Sequence, residues 1–158
     1  TFIMPGQAER KKSVKYKLVP QELEIRDKKV LILDDSIVRG NTSREIVRML
    51  KDFGAKEVYF AVACPPVKSP CFYGVDMPTK SELIAGNMNE AEIENYLEVD
   101  ALLYQKIDDL VEAVTRKGDH HIDTPCMACL DGNYIANDID DAKIAQMEAM
   151  RVNDRNGK

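Results

Sequence analysis

The chain lacks the features that mark membrane proteins, secreted proteins and most nucleic-acid-binding domains. It has no tryptophan, and aromatic residues make up only 6% of its 158 residues. No apolar run approaches the ~20 residues that a membrane-spanning helix needs, and no secretory signal opens the sequence. The net charge of −5 disfavours a nucleic-acid-binding surface, because such domains are usually basic. We therefore expect a cytoplasmic protein that binds neither membrane nor nucleic acid.

The length is sufficient for one domain with its own core. However, the sequence begins at Thr1 without an initiator methionine, in a loop-like segment, and few strands can be assigned before Val30. We expect a fragment of a longer protein, with further sequence upstream.

The most informative stretch is an apolar run followed by two carboxylates and a short loop. Residues 30–33 (Val-Leu-Ile-Leu) predict a strand buried on both faces of a parallel sheet. Asp34 and Asp35 then fall at the carboxyl end of the strand, where open α/β sheets bind ligands. The loop through Gly40 leads into a helix, whose first N–H groups attract phosphate. This arrangement suits a phosphorylated sugar.

The flanking pattern predicts an α/β fold with a mostly parallel sheet. Apolar residues at helical spacing from Ile46 to Phe53 precede Gly54, and a β-rich run over 57–63 follows, which together predict a βαβ unit with a right-handed crossover. Further predictions are strands over 13–18 and 101–104, a polar connection over 22–29, an irregular segment over 67–79, helices over 87–96 (capped by Asn89), 107–118 and 139–150, and a frayed tail from 151.

Taken alone, Asp34-Asp35 is more typical of a strand-end pair that caps a turn. The whole run is more specific. The Walker A loop and the Rossmann glycine pattern are both absent. Apolar residues, two acidic residues and a loop of small residues ending in Thr42 fit the phosphoribosylpyrophosphate (PRPP) motif of type I phosphoribosyltransferases.

Four cysteines form the second candidate site. Cys126 and Cys129 make a C-x-x-C pair, with Cys71 and Cys64 upstream. A disulfide is disfavoured in a cytosolic protein, whereas four thiolates can hold zinc or an iron–sulfur cluster, and the residues alone leave these two close to even. Cys64 ends an apolar strand and is predicted to be a small core residue. His120 and His121 are predicted to be exposed, without an assigned role.

Residues 1–13 combine Pro5, Gly6 and the basic run 10–12. Their composition favours a solvated terminus. The alternative is a lid that closes over a polyanion through one or more lysines, the candidates being Lys11, Lys12, Lys15 and Lys17.

Several long motifs, in order along the chain, resemble one enzyme family. They are residues 1–6 (Thr-Phe-Ile-Met-Pro-Gly), 10–14, 33–43 and 72–79 (Phe-Tyr-Gly-Val-Asp-Met-Pro-Thr). Together they resemble the glutamine PRPP amidotransferases, also called amidophosphoribosyltransferases, until the match weakens after about Asp138. The similarity is to the second half of the transferase domain. The family's glutaminase domain, with its N-terminal cysteine nucleophile, is not in this sequence.

The resemblance implies a type I phosphoribosyltransferase fold. Residues 1–118 would be a partial transferase domain, with a flexible PRPP loop and the segment after it over 1–17 and the PRPP motif over 30–43. Residues 119–158 would be a C-terminal extension that is helical and carries cluster ligands.

The implied reaction converts PRPP, glutamine and water into 5-phosphoribosylamine, pyrophosphate and glutamate, the first step of de novo purine synthesis. Asp34 and Asp35 would hold the ribose hydroxyls, directly or through Mg²⁺, and Lys17 would contact pyrophosphate. The implied residues around the 5′-phosphate act mostly through backbone N–H groups and are Val38, Arg39, Gly40, Asn41, Thr42 and Ser43. Asn41 departs from the small residue or threonine that the family often has.

Cys71, Cys126 and Cys129 match the cluster-bearing form of the family, the Bacillus-like type. They would bind a [4Fe–4S] cluster with a fourth cysteine upstream of Thr1, and Cys64 would stay in the core. The resemblance also implies ammonia delivered from glutamine, purine nucleotides as feedback inhibitors, and a homotetramer at full length.

Two other functions share part of this pattern. Another type I phosphoribosyltransferase, with a base as acceptor, would share the acidic pair and loop but would leave the cysteines unexplained. A non-catalytic regulator of the same fold that senses PRPP or nucleotides is the second alternative.

Overall fold

The computed structural model describes residues 19–115, 124–136 and 139–156, with the backbone alone at 141 and 151–156. Its sheet has three parallel strands in the order β1 (Lys29–Asp34), β2 (Glu57–Val62) and β3 (Ala101–Tyr104). Asp34 is in register with Val62, which is in register with Tyr104. These three residues form the last row at the carboxyl end of the sheet.

Helices connect the strands. The helical elements are α1 (Glu22–Ile25), α2 (Asn41–Asp52), a 3₁₀ turn (Lys80–Glu82), α3 (Ile84–Asn87), α4 (Glu90–Leu97), α5 (Ile107–Thr115), α6 (Ala128–Asp131) and α7 (Asp141–Asn156). The predicted βαβ unit is confirmed as β1, α2 and β2. Within the described residues, every helix is too short or too polar to span a membrane.

The main core lies on one face of the sheet. Val58, Phe60 and Val62 alternate along β2, and all three are buried. They belong to the same apolar cluster as Val47 of α2 and Ile93 of α4, neither of which is accessible to solvent. Burial of such side chains stabilises the fold by about 1.5–3 kcal/mol each. The cluster fixes α2, and hence its N-terminus, against the sheet.

A second, smaller core lies beside the carboxyl end of the sheet. Val38 from the loop after β1, Val67 from the segment after β2, Leu83 and Leu130 of α6 pack together there. The amides of residues 68 and 69 donate to the carbonyl oxygen of Cys129 at 2.9 and 3.0 Å. The segment over 124–136 is thus held against the loops that follow β1 and β2.

The prediction that β1 is buried on both faces is wrong. Leu31 and Leu33 are 64% and 75% exposed, and Leu103 on the same face of the sheet is 54% exposed. Within the described ranges, α2 and α4 both pack on the opposite face, so this face meets solvent. The burial of β1 alternates along the strand, but its sequence does not show this, because the solvent-facing positions are leucines too.

Three other predictions can be compared with the observed elements, and one of them is confirmed. The polar connection over 22–29 contains the one-turn helix α1, and the last helix runs from Asp141 to Asn156, past the position where fraying was predicted. The Asn89 cap is confirmed, since its Oδ1 accepts from the Glu92 amide at 3.0 Å. The predicted strand over 13–18 and helix end near Gly118 lie outside the described residues.

Candidate functional site

The acidic pair lies at the carboxyl end of the sheet. Asp34 ends β1 and is partly buried, whereas Asp35 is exposed. The Asp34 Oδ1 accepts from the Asp35 amide at 3.0 Å, and the Asp35 Oδ1 accepts from the Ser36 hydroxyl at 2.8 Å. Each bond engages one oxygen, the Oδ1, of its carboxylate and so limits the rotation of that side chain. The pair can therefore bind hydroxyls or share a cation.

The loop after the pair, residues 35–43, is named the phosphate loop here. Gly40 caps α2 with a φ of 75°, a left-handed conformation that glycine adopts without strain. The first intrahelical bond runs from the Arg44 amide to the Gly40 carbonyl oxygen at 2.9 Å. The N–H groups of Asn41, Thr42 and Ser43 precede it and have no carbonyl within the helix, which gives the loop the character of an anion site.

Neighbouring elements hold the phosphate loop from behind. A Cβ at Gly40 would lie 2.6 Å from the Ile84 Cδ1 and 3.2 Å from the Tyr96 Cε1. The Ile84 amide donates to the Val38 carbonyl oxygen at 2.9 Å, and the Tyr96 hydroxyl donates to the Asn41 Oδ1 at 3.1 Å. Any other residue at position 40 would strain the backbone at this positive φ and displace the Ile84 side chain, so glycine is strongly favoured there.

The Arg39 side chain is directed away from the loop's N–H groups. Its Nε and Nη2 both lie 3.1 Å from the Glu82 Oε1. The Arg39 side chain is thus engaged by Glu82, and phosphate binding through the backbone N–H group of residue 39 stays a prediction.

The cysteine region, residues 64–79 and 124–136, adjoins the phosphate loop. Burial raises the pKa of the Cys129 thiol, and the nearby thiols of Cys71 and Cys126 raise it further. Burial also raises the pKa of Cys64, with smaller contributions from Cys129 and the Asp35 carboxylate. Cys71 and Cys126 are thus near enough to Cys129 to affect its pKa, and Cys129 and Asp35 are near enough to affect that of Cys64.

Cys64 differs from its prediction as a core residue, because it is only partly buried. It lines a cavity of about 300 Å³ with Cys129, and Ser36 and Val38 of the phosphate loop line the other side. The Cys71, Cys126 and Cys129 donor set consists of soft thiolates, which suits an iron–sulfur cluster or zinc. Among the described residues no three His, Cys, Asp or Glu side chains are grouped to hold a single metal ion.

The structure adds residues that the sequence pattern did not indicate. Glu82, Ile84 and Tyr96 contact the phosphate loop from positions some 40 to 55 residues away, so only the fold reveals them. Tyr104 ends β3 beside the site with its hydroxyl buried and without a hydrogen-bond partner in the described part of the chain. Burial raises the pKa of Tyr104, followed by the effects of Glu90 and Cys64, and keeps its hydroxyl protonated.

Other predicted site residues are not described. Lys17, the other lysines of the predicted lid and the whole segment 1–17 that is predicted to form it lie outside the described residues, as do His120 and His121.

Comparison with known proteins agrees with this geometry. Residues 5–78 match the family model of the phosphoribosyl transferase domain. A solved structure of glutamine PRPP amidotransferase from B. subtilis, complexed with ADP and GMP, superimposes with a TM-score of 0.65 and 37% identity over 84% of this chain and 29% of that chain. The fold is that of a type I phosphoribosyltransferase. The predicted fold class is thereby confirmed.

The sequence is also similar to those of several curated amidophosphoribosyltransferases. The amidophosphoribosyltransferase of Pseudomonas aeruginosa is 46% identical over 96% of this chain. That of Methanothermobacter thermautotrophicus is 45% identical over 96%, and that of Escherichia coli K12 is 42% identical over 98%. The chain spans 30%, 31% and 30% of the lengths of these three relatives. The predicted resemblance to amidophosphoribosyltransferases is confirmed at this level.

Proposed function

We propose that this chain carries the PRPP site of an amidophosphoribosyltransferase, which acts in the cytoplasm at the first step of de novo purine synthesis. The reaction converts PRPP, glutamine and water into 5-phosphoribosylamine, pyrophosphate and glutamate. One observation carries the proposal: two carboxylates and a helix N-terminus lie at the two ends of one loop. Supporting it, the sequence around them is 46% identical to an amidophosphoribosyltransferase.

The chemistry of PRPP explains these residue types. Breaking the bond between C1′ and pyrophosphate builds positive charge on the ribose and negative charge on the leaving group. Asp34 and Asp35 hold the ribose hydroxyls, and their charge favours the cationic ribose. The N–H groups at the start of α2 hold the 5′-phosphate, so the ribose is fixed at both ends.

Mg²⁺ bound through Asp34 and Asp35 would offset the charge that develops on pyrophosphate. Two carboxylates suit this ion, since Mg²⁺ uses few protein ligands and completes its shell with water and substrate oxygens. Lys17 would contact pyrophosphate, and residues 1–17 would close over the site and exclude water.

The acceptor in this proposal is ammonia, so the site needs no nucleophilic side chain of its own. Glutamine would supply the ammonia through a glutaminase domain of the full-length protein. The B. subtilis relative was solved with ADP and GMP. This supports purine nucleotides as feedback inhibitors of the full-length protein. We also propose that the full-length protein is a homotetramer.

We also propose that Cys71, Cys126 and Cys129 bind a [4Fe–4S] cluster with a fourth cysteine from upstream, as in the Bacillus-like form. The support for this set is the similarity of the flanking motifs to that form, together with the proximity of Cys71 and Cys126 to Cys129, whose pKa they raise. Such a cluster would cross-link two segments that have little regular structure, and its role would be structural.

Replacement of both carboxylates in the full-length protein tests the function. The double variant Asp34→Asn/Asp35→Asn should lower kcat/KM for PRPP in the PRPP-dependent glutaminase reaction by about 100-fold or more, or ~2.7 kcal/mol. Asp52→Asn, at the far end of α2 and exposed, is the matched control and should leave kcat/KM unchanged.

Near-wild-type rates in the double variant would contradict the assignment. The same assay separates the alternatives. A phosphoribosyltransferase for bases would release pyrophosphate with a purine or pyrimidine but not with glutamine, and a regulator would bind PRPP without turnover.

A further inference from the structure

A short segment over 79–87, named the bracket here, contacts three successive residues of the phosphate loop. Glu82 pairs with Arg39, the Ile84 amide donates to the Val38 carbonyl oxygen, and the Ile84 side chain fills the space above Gly40. The bracket comprises the 3₁₀ turn and α3, and Leu83 within it is fully buried. It is thus anchored in the core on one side and touches the phosphate loop on the other.

The Glu82 carboxylate joins these two parts through its two oxygens. Its Oε2 accepts from the Thr79 amide at 3.2 Å and from the Thr79 hydroxyl at 3.1 Å, which forms a capping box at the start of the 3₁₀ turn. Its Oε1 accepts from Arg39. The side chains of Arg39 and Glu82 are only 20% and 32% exposed. Partial burial reduces competition from water, so the pair is stronger than an exposed ion pair.

This pair determines where the Arg39 side chain lies. Without the Glu82 carboxylate, the Arg39 side chain would lose this partner, and the loop around residue 39 would then be held by the Ile84 amide at Val38 and the packing at Gly40. Preorganised donors bind an anion with no reorganisation cost, whereas donors that must be ordered at binding lose affinity.

We propose that Glu82 is a positioning residue for the 5′-phosphate of PRPP: through Arg39 it holds the phosphate loop in its binding conformation without touching the substrate. The proposal rests on the proposed function, because it takes PRPP as the ligand of the loop. The bracket is in turn tied to the last helix, since the Lys80 amide donates to the Glu148 carboxylate of α7.

The test uses Glu82→Gln in the full-length protein. Glutamine keeps the length of the side chain and an acceptor for the Thr79 amide, but it removes the charge that pairs with Arg39. We expect KM for PRPP to rise about 5- to 20-fold while kcat changes by less than about 2-fold. The loop would have to be ordered when PRPP binds, which weakens binding, but once PRPP is bound the loop has its normal conformation. Glu82→Asp, which keeps the charge, should recover part of the affinity.

Glu57→Gln is the matched control. It breaks the Lys29–Glu57 ion pair, in which Glu57 is 25% exposed, at the opposite, amino-terminal edge of the sheet. KM for PRPP should not change in this variant. The double variant Arg39→Gln/Glu82→Gln should have a KM no higher than the worse single variant, because both changes remove the same pair.

An unchanged KM in Glu82→Gln, or fully additive effects in the double variant, would overturn the proposal. Deuterium exchange without substrate distinguishes its failure from that of the proposed function. Amides of 38–43 should exchange faster in Glu82→Gln than in Glu57→Gln even if the ligand is not PRPP, and equal exchange in the two variants would refute the positioning role.

Discussion

The phosphate loop and the cysteine region lie side by side, yet their backbones are held in different ways. The phosphate loop is surrounded by packed elements: a glycine cap, an isoleucine and a tyrosine from behind, and an ion pair at its side. In the described residues the cysteine region has one turn of helix, α6, and it contributes Val67 and Leu130 to the second core, while its loops are joined by scattered hydrogen bonds. Two amides donate to the Cys129 carbonyl oxygen, and the Tyr134 hydroxyl donates to the Pro70 carbonyl oxygen at 2.8 Å.

The difference shows two ways to order a loop. Packing against the core fixes the phosphate loop before any ligand arrives, which suits a site that must bind a phosphate without rearrangement. The cysteine region contains thiols that an inorganic cluster can cross-link, so we expect much of its order to depend on that cluster. If the two regions are independent, loss of order in the cysteine region should leave the phosphate loop unchanged.

The largest effect is expected from loss of a cluster ligand. Cys126→Ser in the full-length protein should lower iron from about four atoms per chain to near zero, because the cluster needs all four thiolates. Deuterium exchange should then rise by about 100-fold or more at 64–79 and 124–136, but not in the phosphate loop.

Cys64→Ser is the control for this experiment, since Cys64 lines the same cavity as Cys129 but is not in the proposed ligand set. It should retain full iron. Loss of iron in Cys64→Ser would contradict the ligand set, and equal loss of protection in the phosphate loop would show that the two regions form one unit.

An intermediate effect is expected at Gly40. An alanine there meets the Ile84 Cδ1 and needs a left-handed backbone, so Gly40→Ala should destabilise the protein by about 1–3 kcal/mol. KM for PRPP should rise at least about 10-fold, because the cap of α2 must shift.

Gly54→Ala separates strain from site geometry. Gly54 has a φ of 86°, and its nearest neighbour to an added Cβ is the Arg26 Cγ at 3.5 Å, far from the phosphate loop. This variant should lose about 1 kcal/mol of stability with KM unchanged. A similar rise in KM in both variants would mean that general loosening, and not the loop itself, weakens binding.

The smallest effect is expected from the charges behind the loop. Hydrogen bonds from Arg48 and Arg44 lower the pKa of Glu98, and Arg44 in turn stacks on Tyr96 at 4.5 Å. Because the folded-state pKa lies below the unfolded one, Glu98 stabilises the fold above its ordinary pKa, and this contribution disappears as pH falls through the lowered value.

Glu98→Gln should therefore lower Tm by less than about 3 °C at pH 7, and by progressively less as pH falls through the lowered pKa of Glu98. Thermal melts of Glu98→Gln and of Glu112→Gln, which is exposed on α5, would provide the comparison. A difference between wild type and Glu98→Gln that is as large at pH 3 as at pH 7 would refute the assigned cause.

The sequence was sufficient to place the phosphate loop but not its surroundings. The βαβ unit, the acidic pair at the end of β1 and the cap by Asn89 depend on local patterns of apolar residues, carboxylates and glycine, which carry information over a few residues. Glu82, Ile84 and Tyr96 act at the loop through tertiary contacts, and no spacing in a single sequence indicates which distant residues will meet.

The solvent exposure of β1 was missed for a related reason. An alternating pattern reports a half-buried strand only when the outward residues are polar, and Leu31 and Leu33 are not. The ligand set of Cys71, Cys126 and Cys129 stays a prediction that rests on the resemblance to a family, whereas the position of Cys64 near Asp35 required the fold.

The outer face of the sheet has a practical consequence for work with this polypeptide. Leu31, Leu33 and Leu103 present a flat, apolar surface to water on parallel strands. Surfaces of this kind promote self-association in concentrated solution. A preparation of these 158 residues alone should bind hydrophobic dyes and lose material to aggregates as its concentration rises, so crystallisation or NMR trials would begin best with the leucines of this face changed to polar residues.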